Sequence, residues 1–343
     1  MPLAIPAAPS PALATAAALT AAFCWTLASL LWRRLPSSLP APHLNLLKNL
    51  LALALQLPLA LAQLPSLAGA LSGPSAGDMV RRLVLLAASG VLGIALGDSF
   101  HFAALRRLGT RRCLTLEAGG PALTTLAGVV LLGEVPRAGQ WLGVGLISLA
   151  VVLVARQRPP SQGPPASDLQ AEANGDSAAN LALEGPPAPR PDGQWERLGL
   201  GFAVVALVCG CAGALLARGA LLGGPFNPLQ AATLRLGAAS LVMAPLLGGL
   251  PGPRRWRGLA SRHWPLVVTA TLLGTSIGIV LQQTALAGLP GGLAVALLAT
   301  APLMGVVIAP LEGDSPGWPG VLAALAGLVG VSLVVGLPLP GLE

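Results

Sequence analysis

Long apolar stretches, each closed by arginine, proline or tryptophan, alternate along the chain with short polar connections. The pattern predicts ten membrane-spanning helices, at residues 13–32, 44–63, 83–105, 113–132, 139–155, 198–221, 228–250, 265–287, 293–311 and 317–337. Each approaches the ~20 consecutive apolar residues with which a helix crosses the hydrocarbon of a bilayer. Between the fifth and sixth spans the pattern fails. Residues 156–196 are Pro, Ser, Gly, Ala and Asn with scattered acids (RPPSQGPPASD, EGPPAPRPDG), too poor in apolar surface to order themselves, and read as a flexible linker. No basic residue precedes Leu13 as a secretory leader requires, so the first span is expected to be retained.

The two stretches of spans are copies. GIALGDSFHFAAL (93–105) and GTSIGIVLQQTAL (274–286) align at a constant offset of 181, pairing Gly93 with Gly274, Gly97 with Gly278, His101 with Gln282 and Ala104-Leu105 with Ala285-Leu286. The same offset pairs Pro121 with Pro302. In the first spans Cys24 and Arg33 pair with Cys209 and Arg218 at an offset of 185; in the second, Lys48 and Pro58 pair with Arg235 and Pro245 at 187. The domains are therefore 13–155 and 197–337, joined by the linker.

Composition decides the solvent. With 54% hydrophobic and 10% charged residues and a mean hydropathy of +0.75, a soluble globular domain is excluded. The net charge of +7 does not indicate nucleic acid, because the arginines form short clusters at span ends, as at Arg33-Arg34 and Arg81-Arg82, and no long basic face exists. Six of the seven tryptophans also lie at or near span ends, where an amphipathic ring is favoured. The four cysteines and three histidines have no ligand spacing, so neither a metal nor another cofactor is expected.

Ionisable residues inside spans carry the candidate chemistry. Lys48, the only lysine, and Arg235 lie within second spans, where a cation costs roughly 2.5–3.5 kcal/mol and faces a cavity or a partner. The alternative for Lys48 is snorkelling to the headgroups. Asp98 and His101, three residues apart, share a helix face, and Gly93 and Gly97 precede them at the four-residue step that admits a neighbouring backbone. Ile279 replaces the acid in the second copy. Glu117 stands four residues before Pro121, which frees its carbonyl. An intramembrane carboxylate is a proton-exchange candidate, against which stands simple pairing of Asp98 with Arg106 or Arg107 and of Glu117 with Arg111 or Arg112. Gln282, in the register of His101, is expected to face the cavity, with Gln283 the weaker candidate. An enzyme would need Ser89 with His101 or His263, but no glycine elbow flanks Ser89 and no histidine lies in a later span at its depth.

Two five-span units, each with a basic second span, a Gly-rich third span ending Ala-Leu and a proline in the fourth, resemble the EamA-type proteins of the drug/metabolite transporter superfamily. LLGEVPRAGQWLGVGLISLAVVLV (131–154) is similar to that family's Gly-Glu span end and Gly-rich fifth span; EGDSPGWPG stands there in the second half. The resemblance implies an all-α integral membrane fold, ten transmembrane helices in two inverted five-helix repeats around a central cavity. An odd number of spans per copy does invert the second. It also implies a secondary transporter of small metabolites in the plasma or inner membrane, as a monomer or homodimer, with protons and a small-molecule substrate as partners. Proton coupling falls to Asp98, His101 and Glu117 in a cavity shared with Lys48, Arg235 and Gln282. Gly93, Gly97, Gly274 and Gly278 become packing contacts along which the halves rock, with Pro121 and Pro302 as hinges. An uncoupled facilitated carrier is the alternative. The family suggests a cytoplasmic N-terminus, whereas the arginine-rich loops favour both termini outside.

Overall fold

The computed structural model describes residues 8–33, 41–63, 76–156, 193–249, 263–308 and 318–336. Most of the predicted linker, together with Glu312, Asp314 and Arg34, lies outside them.

The described residues are helical. In the first half α1 is Pro11–Arg33 and α2 Ala41–Ala62. Then α3, Ala76–Gly90, passes through a π-helical segment Val91–Gly97 into α4, Asp98–Glu117, followed by α5, Gly120–Leu132, and α6, Ala138–Arg156. In the second half α7 is Gly193–Leu221 and α8 Pro228–Leu246. Helix α9, Trp264–Thr271, passes through a π-helical segment Leu272–Ile277 into α10, Gly278–Gly288. Helices α11, Gly291–Leu298, α12, Ala301–Ile308, and α13, Trp318–Val335, complete it. Nine stretches of the described residues are long and apolar enough to cross a membrane, and the ninth predicted span corresponds to the shorter apolar helix Gly291–Val306.

Helix α4 differs from the sequence expectation, which places a connection between residues 105 and 113. The backbone there stays helical, yet His101 and Glu117 touch, Nδ1 to Oε1 at 2.5 Å. Sixteen residues of straight helix would separate them by about 24 Å, so the segment folds back on itself and the third and fourth spans lie side by side.

Both halves bend at the same register. The π-helical segments start at Val91 and Leu272, and the fourth spans break at 118–119 and 299–300, each pair 181 residues apart. The breaks come just before Pro121 and Pro302, which take early positions in α5 and α12, where a missing N–H and a fixed φ do no harm. Beyond the break the first span of the opposite half closes the backbone. Thr26 Oγ1 donates to the Ala301 carbonyl at 2.8 Å, and at the matching position Cys211 Sγ contacts the Gly120 carbonyl at 3.6 Å. Pro58 and Pro245 sit inside α2 and α8.

The halves interlock reciprocally. Helix α1 packs on α10 and its π-helical segment, α7 on α3, α4 and theirs, α2 on α8 and α6 on α13. The approach is backbone to backbone at Gly213, where an added Cβ would stand 2.9 Å from the Gly93 Cα and 3.1 Å from the Ser89 carbonyl oxygen. The equivalent contact sets Gly274 against Ala28, where a Cβ would meet the alanine methyl at 2.7 Å. Small residues at such crossings are how helices associate without a hydrophobic drive between them.

One end of the bundle is densely closed. The main apolar cluster gathers Ala14, Ala18, Leu86, Ala217, Ala285, Leu286, Leu293 and Leu297 from both halves. Two arginine clamps cap it. Arg218 Nε donates to Glu134 Oε1 at 3.1 Å, and its Nη1 to the Leu286 and Ala287 carbonyls at the end of α10. The same carboxylate accepts the Gly291 amide at the start of α11, where the helix dipole favours an anion. Left-handed Gly133 (φ 66°) ends α5 and delivers Glu134 there. Arg82, held by Asp78 at 2.6 Å, donates to the Ala220 and Leu222 carbonyls at the end of α7.

Two expectations follow. Gly213→Ala should lower the stability of detergent-solubilised protein by about 1–3 kcal/mol through overpacking, while Gly145→Ala, with nothing within 4 Å of its added methyl, should change it by less than about 0.5 kcal/mol; thermal unfolding monitored by circular dichroism compares them. Glu134→Gln removes the counterion of a guanidinium whose side chain is 11% exposed, and should cost about 3 kcal/mol in the same measurement.

Candidate functional site

Between the halves lies a cavity of about 400 Å³, within the range of small-molecule sites. Trp25 and Trp32 of α1 and Lys48 and Asn49 of α2 form one wall; Gly93, Ile94 and Asp98 of the third span form another. The second half contributes Gly210 and Ala214 of α7, Arg235 of α8, and Gly274, Thr275, Ile279 and Gln282 of the eighth span. A larger depression of about 630 Å³, lined by Leu108, Leu116, Arg156, Glu196 and Leu200, sits where α6 ends and α7 begins. It holds none of the ionisable residues singled out in the sequence.

Four of those residues meet in the cavity. Lys48 Nζ approaches Asp98 Oδ2 at 3.7 Å, joining α2 to α4. Arg235, 3% exposed, donates from Nη1 to Gln282 Oε1 at 3.3 Å. Its Nε has no partner, and no carboxylate lies within salt-bridge distance of it among the described residues. His101 and Glu117 do not line the cavity; they form the adjacent pair described above, one helical turn beyond Asp98. Among described side chains Asp98 thus pairs with Lys48, and Glu117 with His101; the side chains of Arg106, Arg111 and Arg112 lie outside the described residues. Gln283 points away from the cavity, fully buried. Ser89, the only nucleophile weighed for an enzyme, is buried and donates to the Gly213 carbonyl at 2.5 Å, as a helix-packing contact.

The packing glycines border the same space. Gly274 and Gly278 face α1, and the Trp25 Nε1 donates to the Gly274 carbonyl at 2.9 Å, satisfying a group beside the π-helical turn. In the other half the residue equivalent to Trp25 is Gly210, above which nothing stands within 4 Å. Gly97 borders that opening, and the Arg235 guanidinium lies beside Gly93, where a Cβ would come within 3.3 Å of Nη2. The cavity therefore occupies the place of an absent second indole. Sequence reasoning did not single out Trp25, Trp32, Asn49 or Thr275 for the site. The pairing of Cys24-Trp25 with Cys209-Gly210 at offset 185 was the available signal for Trp25.

The sequence profile of the EamA-like transporter family matches residues 12–156 and 197–336. Comparison with curated proteins gives no significant match. A solved structure titled "Crystal structure of protein" is similar in fold, with a TM-score of 0.66 at 17% identity over 94% of this chain and 96% of that one. With both halves of the bundle matched, this multi-pass membrane protein belongs to the EamA-like transporter family.

Proposed function

We propose that the chain is a ten-helix secondary transporter of small metabolites in the plasma or inner membrane, with its two five-helix halves inserted in opposite orientations and working by proton-coupled alternating access. The observation that carries the reading is the cavity: Lys48, Asp98, Arg235 and Gln282 converge inside a bundle whose outer face is apolar. Charged side chains within a bilayer are expensive and mark solute pathways. Five spans per half support the inversion. Dense closure at one end, by the apolar cluster and the arginine clamps, supports a state open to one side only. The small-residue contacts of Gly93, Gly97, Gly274 and Gly278, with the breaks before Pro121 and Pro302, support rocking of one half on the other.

Charge counting supports His101 and Glu117 as the coupling pair. Lys48 and Asp98 together are neutral, so protonating Asp98 would leave a bare ammonium. His101 with ionised Glu117 carries −1 while the imidazole is neutral and 0 after taking one proton. The His101–Glu117 pair is therefore the proton acceptor, with Asp98 on the same helix and Lys48 across from it as the charged groups nearest in the cavity. That each acid already has a basic partner supports the second reading, an uncoupled carrier in which both pairs are structural.

Sealed vesicles loaded with a pool of small metabolites separate the two. A pH jump should drive accumulation of one metabolite by the parent protein, and Glu117→Gln should abolish that accumulation while leaving exchange of labelled for unlabelled solute. Solute exchange by the parent protein that a pH jump does not convert into accumulation would establish the uncoupled carrier, and accumulation that survives in both Glu117→Gln and Asp98→Asn would show both acids to be structural. Gly210→Trp, placing a second indole in the open space, should cut exchange at least 10-fold without lowering the unfolding temperature.

A further inference from the structure

We infer that the cavity binds a small organic monocarboxylate, whose carboxylate is received by Arg235 and whose body lies along Trp25 and Trp32. The inference rests on the cavity being the transport site and names what that site takes.

Arg235 differs from the cation with which it shares the cavity and from the two arginine clamps. Arg82 has Asp78, Arg218 has Glu134 and Lys48 has Asp98. Arg235 is as buried as any of them, yet among the described residues its one hydrogen-bond partner is the neutral amide oxygen of Gln282, and its Nε is unpartnered. A buried guanidinium without a counterion is costly, and a planar five-donor fork is matched in shape by a carboxylate bound through two parallel hydrogen bonds. The guanidinium also lies beside the wall of the cavity that has no side chain, at Gly93, so a ligand atom can reach it.

The charge count narrows the ligand. Lys48 and Asp98 cancel, and Arg235 leaves the lining at +1, which one carboxylate neutralises. An amino acid would bring an ammonium as well, and the one carboxylate lining the cavity among the described residues, Asp98, is already engaged by Lys48. Two indole rings with Ile94 and Ile279 offer an apolar or planar body a surface, and about 400 Å³ limits it to a small acid.

The experiment is equilibrium binding to purified full-length protein in detergent, read by tryptophan fluorescence and by thermal shift. The probes are butyrate, 3-phenylpropionate and indole-3-acetate, the amides of the same three acids, phenylalanine as a zwitterion, and chloride as a bare anion. At least one acid should bind saturably, at least 10-fold more tightly than its amide, than phenylalanine and than chloride. Arg235→Gln should remove that preference, and Arg235→Lys should retain part of it. Saturable binding by none of the acids, equal binding of acid and amide, tighter binding of phenylalanine or chloride, or an acid preference that persists in Arg235→Gln would each overturn the inference. The comparison of acid with amide needs only the parent protein, so it stands even if the variants misfold. Acid binding without vesicle transport would defeat the transporter reading alone, and transport of a neutral or zwitterionic solute without acid binding would defeat this one alone.

Discussion

The close crossing of each half's first span with the other half's third span is the contact on which the remaining architecture depends. Where Gly213 meets Gly93 and Ala28 meets Gly274, backbones approach to distances that an added methyl would prevent. Lipid and side chains are equally apolar, so helices in a bilayer gain little by hiding hydrophobic surface from one another. Close packing and hydrogen bonds take its place. The same crossings bring Trp25 to the Gly274 carbonyl and Thr26 to the Ala301 carbonyl. The irregular turns of the third and fourth spans can exist within the apolar layer because the opposite half supplies partners for their backbone.

A repeat that were symmetric in every side chain would leave no distinctive site. The cavity arises where the copies diverge at equivalent positions: Trp25 against Gly210, Asp98 against Ile279, His101 against Gln282, and Lys48 against Arg235. The first half fills its crossing with an indole and pairs its cation with an acid. The second half leaves the crossing open and its cation beside an amide. Shape and charge asymmetry coincide because the same helices carry both.

The two ends of the bundle are built differently. At the closed end, Glu134 ties the end of α5 to the start of α11 while Arg218 ties α7 to α10. The Gly-Glu pair at 133–134 thus has a mechanical meaning beyond its place in the family pattern: left-handed Gly133 turns the chain, and the next residue is the anion that the arginine and the helix amide share.

The membrane class, the duplication and most of the span positions were legible in the sequence, because they follow from run length and register, which are one-dimensional. So was the membership of Lys48, Asp98, Arg235 and Gln282 in a polar set, since a charge or amide inside an apolar run stands out without any fold. Which of them meet was decided by tertiary structure. Asp98 finds Lys48 because α2 delivers the ammonium. Glu117 finds His101 because α4 folds back on itself within residues of unbroken helical character. The π-helical segments left no mark that a period-3.6 reading detects. The open space above Gly210 was likewise invisible, for an absence of side chain becomes a cavity only when the surrounding helices are in place.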